Sequence, residues 1–173
     1  MDTVDRRSTG PAIQPTTRLT FRPLRVEHAD EMAEVLADPR LHEFIGGKVQ
    51  SAEQLRARYE RMTAGSPREA EAWLNWVVRL EDEARLVGTV QATVVDRTAE
   101  LAWLIGVPWQ GRGIAREAAR ALADALAEGP VHTLIAHIHP EHHASAAVAR
   151  HAGLAPTDQW HDGEVRWEHR LGT

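Results

Sequence analysis

The sequence predicts an α/β (α+β) domain, one central sheet flanked by helices. Three observations carry that prediction. Apolar residues alternate in some stretches and recur at helical spacing in others. These stretches fall in the order strand, two helices, three strands, helix, strand, helix, strand. The segment WQGRGIAREAARAL (109–122) also joins a strand to a helix through a pair of glycines.

The elements follow in turn. Residues 1–17 are polar and rich in proline and threonine, and are expected to form a flexible lead before one domain over 18–173. Residues 18–24 alternate as a strand that ends near Pro23. From His28 to Asp38, Met32, Val35 and Leu36 sit at helical spacing, and Asp38-Pro39 stops the helix. Ser51 with Gln54 forms a capping-box signature for a second helix through about Met62. Residues 73–80 and 86–95 read as a hairpin around the polar turn Glu81-Asp82-Glu83, and 100–107 as a further strand ended by Pro108. Ile114 to Glu128 places Ile114, Ala118, Ala121, Leu122, Ala125 and Leu126 on one face before Gly129-Pro130. A strand over 131–139, a helix over 141–152 and a strand over 164–171 complete the chain.

Composition narrows the function classes. At 173 residues, the chain is long enough for one domain with a proper core. No apolar run is long enough to span a bilayer, and the N-terminus has no signal-peptide h-region. The absence of cysteine removes disulfides, thiolate metal sites and a cysteine nucleophile. A net charge of −5 disfavours nonspecific nucleic-acid binding. Lys48 is the only lysine, and with abundant arginine and alanine this suggests a GC-rich bacterial genome. A cytoplasmic protein is expected, with no membrane or nucleic-acid partner.

The glycine turn is the most informative motif. Gly111, Gly113 and the small Ala115 clear space at the start of a helix, where backbone N–H groups lack internal partners. The helix dipole is positive there, and Arg112 and Arg116 add charge. A pyrophosphate would suit this place; the plainer alternative is a tight turn with no ligand. Neither a Walker P-loop nor a full Rossmann glycine pattern is present, since a large residue fills the third Rossmann glycine position.

Gln110-Gly111-Arg112-Gly113-Ile114-Ala115 matches in full the Gln/Arg-x-x-Gly-x-Gly/Ala core that resembles motif A of the GNAT N-acetyltransferases. The preceding AELAWLIGVP (99–108) is similar to that family's strand before the motif. Leu19 to Ile45 resembles the opening of the ribosomal-protein N-acetyltransferase (RimJ/RimL-like) group. HPEHHASAAVARHAGL (139–154) is similar to the family's later Asn-x-x-Ser segment, with His142 at the asparagine position and Ser145 at the serine. The likeness covers about residues 18–171. It implies a mostly antiparallel mixed sheet, splayed between the fourth and fifth strands, with acetyl-CoA in the gap as acyl donor. It also implies direct acetyl transfer to a primary amine. By resemblance, the coenzyme contacts are Ile105, Gly106 and Val107 through backbone N–H groups, the turn residues Gln110, Gly111, Arg112, Gly113, Ile114, Ala115 and Arg116, and His142 and Ser145.

Acetyl transfer to an amine needs a neutral nucleophile, oxyanion donors and a proton for the leaving thiolate. Glu100 is the candidate base, at the place where several family members carry a glutamate; the alternative is an exposed carboxylate or half of an ion pair. The family's usual tyrosine acid is missing, because Tyr59 is the only tyrosine and lies in the second helix. Ser145 or His142 would have to substitute if an acid is used at all; the alternatives are a packing or cap role for Ser145 and a hydrogen bond from His142 to the pantetheine. A ping-pong route through cysteine is excluded by composition.

His137 and His139 share a strand face and precede His142 and His143, so a zinc site can be drawn from them. The expectation is nevertheless no metal. Trp103 and Phe44 are candidate walls of the acceptor pocket, with core packing as the alternative for Trp103. The acidic balance suits a cationic acceptor such as a polyamine, an aminoglycoside or a peptide N-terminus, and a homodimer is plausible by analogy. The rival readings are a noncatalytic acyl-CoA-binding or regulatory module, and a small self-associating structural domain.

Overall fold

The structure is a computed structural model, and it describes residues 10–43 and 46–172. Within these residues seven strands form one sheet: β1 (Leu19–Pro23), β2 (Glu71–Leu80), β3 (Arg85–Val95), β4 (Thr98–Ile105), β5 (Thr133–Ile138), β6 (Ala155–His161) and β7 (Glu164–Arg170). Their order is β1-β2-β3-β4-β5-β7-β6. All neighbours are antiparallel except β4 and β5. Among the described residues, four helices flank the sheet: α1 (Ala29–Val35), α2 (Ala52–Ala64), α3 (Ile114–Ala127) and α4 (His143–His151).

The local signals explain most of these elements. The Ser51 hydroxyl accepts from the Gln54 N–H at 3.1 Å, and the Gln54 side chain accepts from the Ser51 N–H at 2.9 Å. This reciprocal cap satisfies two groups that a helix start leaves unpaired. In α3, Ile114, Ala118, Leu122, Ala125 and Leu126 are all buried, and Ala118, Ala119 and Ala123 let the helix lie close to its neighbours. Ala121 is only partly buried at the edge of that stripe.

Three expectations change. The chain from 155 to 161 forms β6, a strand absent from the sequence reading. It is an edge strand with no buried residue, so apolar alternation had nothing to mark, and its pairing with β7 is interrupted between Pro156 and Trp160. The first helix is shorter than 28–38: α1 stops at Val35 with Leu36 as its C-cap, and 26–28 form a separate 3₁₀ turn before it. Of the lead over 1–17, residues 1–9 lie outside the described residues. Within the rest, Ile13 is buried in the core and the Thr16 N–H donates to the Leu19 carbonyl at 3.0 Å.

The feature that positions the site is an abbreviated pairing. β4 and β5 are in register only at Thr98/Thr133, Ala99/Leu134 and Glu100/Ile135. β4 runs on to Ile105 and β5 to Ile138, so the strands part and leave a gap.

Candidate active site

The gap holds a cavity of about 610 Å³. Residues 101–105 of β4 form one wall, with Gln110 and Ala115 at the end. The opposite wall comes from residues 136–138 of β5, from His139 just beyond it, and from His142 and Ser145 at the start of α4. Ladder alternation decides which backbone groups face it. The Gly106 N–H donates to the Val87 carbonyl at 2.9 Å, so it is committed to β3. The N–H groups of Ile105 and Trp103, one and three residues back, therefore point away from β3 and toward the gap. Gly106 serves packing instead: a Cβ there would lie 2.6 Å from the Val35 carbonyl oxygen and 2.9 Å from the Trp109 ring.

The turn after β4 is built for close approach. Gly111 and Gly113 have φ of +79° and +76°, a region that favours glycine. A Cβ at Gly111 would meet nothing within 4 Å. Gly113 is the N-cap of α3, which leaves the N–H groups of Ile114, Ala115 and Arg116 without helical partners. Gln110 folds back to donate to the Ile105 carbonyl at 2.9 Å, fastening the turn to the end of β4.

Two residues the sequence reading did not single out hold this turn. Glu83 accepts from the Trp109 indole at 2.8 Å and from Arg112 at 2.9 Å. These bonds, the indole first, hold the Glu83 carboxyl below the usual range. Arg18 donates to the Arg112 carbonyl at 2.6 Å and to Glu117 at 3.3 Å. Arg112 is thus committed to Glu83, whereas Arg116 is exposed and makes no ion pair among the described residues.

The titratable groups cluster at the fork. His137 Nδ1 lies 2.7 Å from Glu100 Oε1. Glu100 and Ile135 are paired in the parallel register, so Glu100 and His137 share one face of the sheet. His137 is mostly buried, 14% exposed, and lines the cavity, while Glu100 is 46% exposed and stands behind it. Trp103 lines the cavity but projects from the opposite face to Glu100, three residues away on the strand. His142 Nε2 is 3.4 Å from the Ser145 hydroxyl. Burial lowers the His142 pKa, and His139 and His143 push the same way against Glu43. Phe44 lies outside the described residues. Among the described residues, no group of three or more His, Asp or Glu is arranged to hold a metal ion.

The family model described as an acetyltransferase (GNAT) domain matches residues 18–155. The chain belongs to the GNAT acetyltransferase family. Its fold is shared with a GNAT acetyltransferase from Bacillus anthracis, at 22% identity and TM-score 0.76, covering 92% of this chain and 98% of that one. A Salmonella typhimurium acetyltransferase that modifies the N-terminal serine of ribosomal protein L7/L12 aligns at 15% identity and TM-score 0.75, over 92% and 99% of the two chains. A Vibrio cholerae spermidine N-acetyltransferase in complex with CoA and spermine aligns at 18% identity and TM-score 0.72, over 90% and 97%. No curated protein matches the sequence significantly. Among the described residues, no helix of this acetyltransferase is long and apolar enough to cross a membrane.

Proposed function

We propose that this GNAT chain moves the acetyl group of acetyl-CoA to a primary amine by direct attack in a ternary complex. The observation that carries this reading is the Glu100–His137 pair at the fork of β4 and β5, on the wall of a cavity that ends at the glycine turn.

The N–H groups at the start of α3 and the uncommitted Arg116 would hold the pyrophosphate, while Gly111 and Gly113 leave it room. The N–H groups of Ile105 and Trp103 face the gap and would receive the oxyanion. Glu100 and His137 divide the work of the base. Glu100 accepts the Nδ1 proton of His137, which fixes the neutral tautomer and leaves Nε2 as the proton acceptor. His137, the member lining the cavity, takes the ammonium proton directly or through a water. Ser145 would hydrogen-bond the departing thiolate. Because a thiol ionises near pH 8.5, full proton transfer is not required, and the lowered pKa of His142 makes its imidazolium scarce at neutral pH.

Initial-rate kinetics over both substrates test the scheme. Intersecting double-reciprocal lines, with no acetyl-enzyme by mass spectrometry, are expected. Parallel lines with an acetylated Ser145 would replace direct attack by a two-step route.

A further inference from the structure

A second cavity, of about 330 Å³, adjoins the first and shares Ala102, Trp103 and Leu104 with it. α2 forms one wall, and Thr89 and Gln91 of β3 stand opposite. Its floor is apolar, with Leu55 and Tyr59 buried, and Met62 and Leu104 beside them. Its ionisable lining is Lys48, Arg58, His42 and the phenol of Tyr59, with no aspartate or glutamate among the described residues.

Those cations are uncompensated. Arg56, two residues from Arg58 on α2, is paired with Asp30. Arg58 and Lys48 enter no ion pair among the described residues, and Arg58 only reaches the neutral Gln50 side chain at 3.4 Å. The first cavity has the opposite sign at its mouth: Glu43, Glu141 and Glu164 line it, and its one arginine, Arg40, is already bonded to Asp38 at 2.6 Å. His42 adds a further demand. Its Nδ1 stands 3.1 Å from the Gly46 carbonyl, so a neutral ring must carry its proton there. Its Nε2 is then an acceptor, and it is buried without a hydrogen-bond partner among the described residues. A buried unsatisfied acceptor favours an occupant that brings a donor.

We propose that the acetyl acceptor is a primary amine that also carries a carboxylate, an apolar amino acid or short peptide in free-acid form. Arg58 and Lys48 take the carboxylate, the apolar floor takes the side chain, and a peptide N–H satisfies His42. The amine extends past Ala102 and Leu104 toward His137, where the glutamates at the mouth favour its ammonium form on arrival. This assignment rests on the acetyl-transfer reading of the first cavity, and it reverses the cationic acceptor that the overall charge suggests. Net charge describes the whole surface, whereas selectivity follows the few charges that line the pocket.

Calorimetric titrations of leucine, leucyl-leucine, their C-terminal amides and spermidine test the idea, on the protein alone and with CoA. At least one free acid should bind about tenfold or more tightly than its amide, since hydrogen bonds to charged groups are among the stronger ones. Arg58→Ala should reduce that preference, and Arg58→Ala combined with Lys48→Ala should erase it while amides still bind. Amides or spermidine binding as well as the acids would overturn the proposal, as would an acid preference that survives in the double variant. Failure of CoA itself to bind would instead remove the acetyl-transfer reading. The preference measured on the protein alone still decides the charge selectivity of this pocket.

Discussion

His137 and Glu100 meet at 2.7 Å across the point where β4 and β5 separate. The last paired residues are Glu100 and Ile135, so His137 is the second residue of β5 beyond the fork. The strand geometry that opens the cavity therefore also places an oriented imidazole on its wall. His137→Gln is expected to lower kcat by about 10² to 10⁴, the usual range for a lost general base. Glu100→Gln keeps an acceptor for Nδ1–H and should cost less. If Glu100→Gln is the inactive variant and His137→Gln is nearly normal, the roles are exchanged.

Glu83 fastens the indole of Trp109 and the guanidinium of Arg112 in one carboxylate. Glu83→Ala should loosen the glycine turn and weaken coenzyme A binding, with a Kd raised about tenfold, while the core stays intact. Glu83 has a lowered pKa in the folded state, so its contribution is present at neutral pH and lost as pH falls through that value. The affinity difference between wild type and variant should shrink accordingly in acid. Equal affinities at pH 7 would show that the turn holds its shape without this anchor.

Gly106 has no space for a side chain: an added Cβ would sit 2.6 Å from the backbone oxygen of Val35. Both sides of that contact are backbone or buried ring. Gly106→Ala is expected to destabilise the fold by about 1–3 kcal/mol, the range for an overpacked site. Chemical denaturation reads this directly. An unchanged midpoint would mean that α1 moves aside at little cost.

Tyr59 is buried beneath the second cavity, and desolvation raises its pKa from 10.0 to about 12. The unfolded chain ionises this phenol near pH 10, whereas the folded chain keeps it neutral until about pH 12. Stability should therefore decline across that window, by on the order of 2 to 3 kcal/mol for this one group. Tyr59→Phe should lose less stability than wild type between pH 10 and 12. Identical alkaline profiles would mean that the phenol reaches solvent.

The fold was legible wherever burial left a period in the sequence. The capping box at Ser51 and Gln54, the apolar stripe of α3 and the hairpin of β2 and β3 all announced themselves locally. β6 did not, because an exposed edge strand needs no apolar alternation. The site divides in the same way. The glycine turn was readable because positive φ and a bare helix start demand particular residues in sequence. The anchors Glu83 and Arg18 were not, since they reach the turn from 29 and 94 residues away. His137 stood out only as one histidine among several. Its bond to Glu100 spans 37 residues and depends on the parallel register of β4 and β5, which no local pattern encodes. The charge of the second cavity was hidden for a related reason, because Lys48 and Arg58 lie on separate segments that only the fold brings together.

The turn at 110–115 is proposed to hold the pyrophosphate of acetyl-CoA. Thermal-shift titrations with acetyl-CoA, coenzyme A and ATP, on wild type and on Gly113→Trp, test it most directly. A ligand that binds the native state raises the midpoint as its concentration passes Kd. A rise is expected with both coenzyme A species, little with ATP, and none in the variant. No rise with either coenzyme species in the wild-type protein would contradict it, leaving the turn as a connection between β4 and α3.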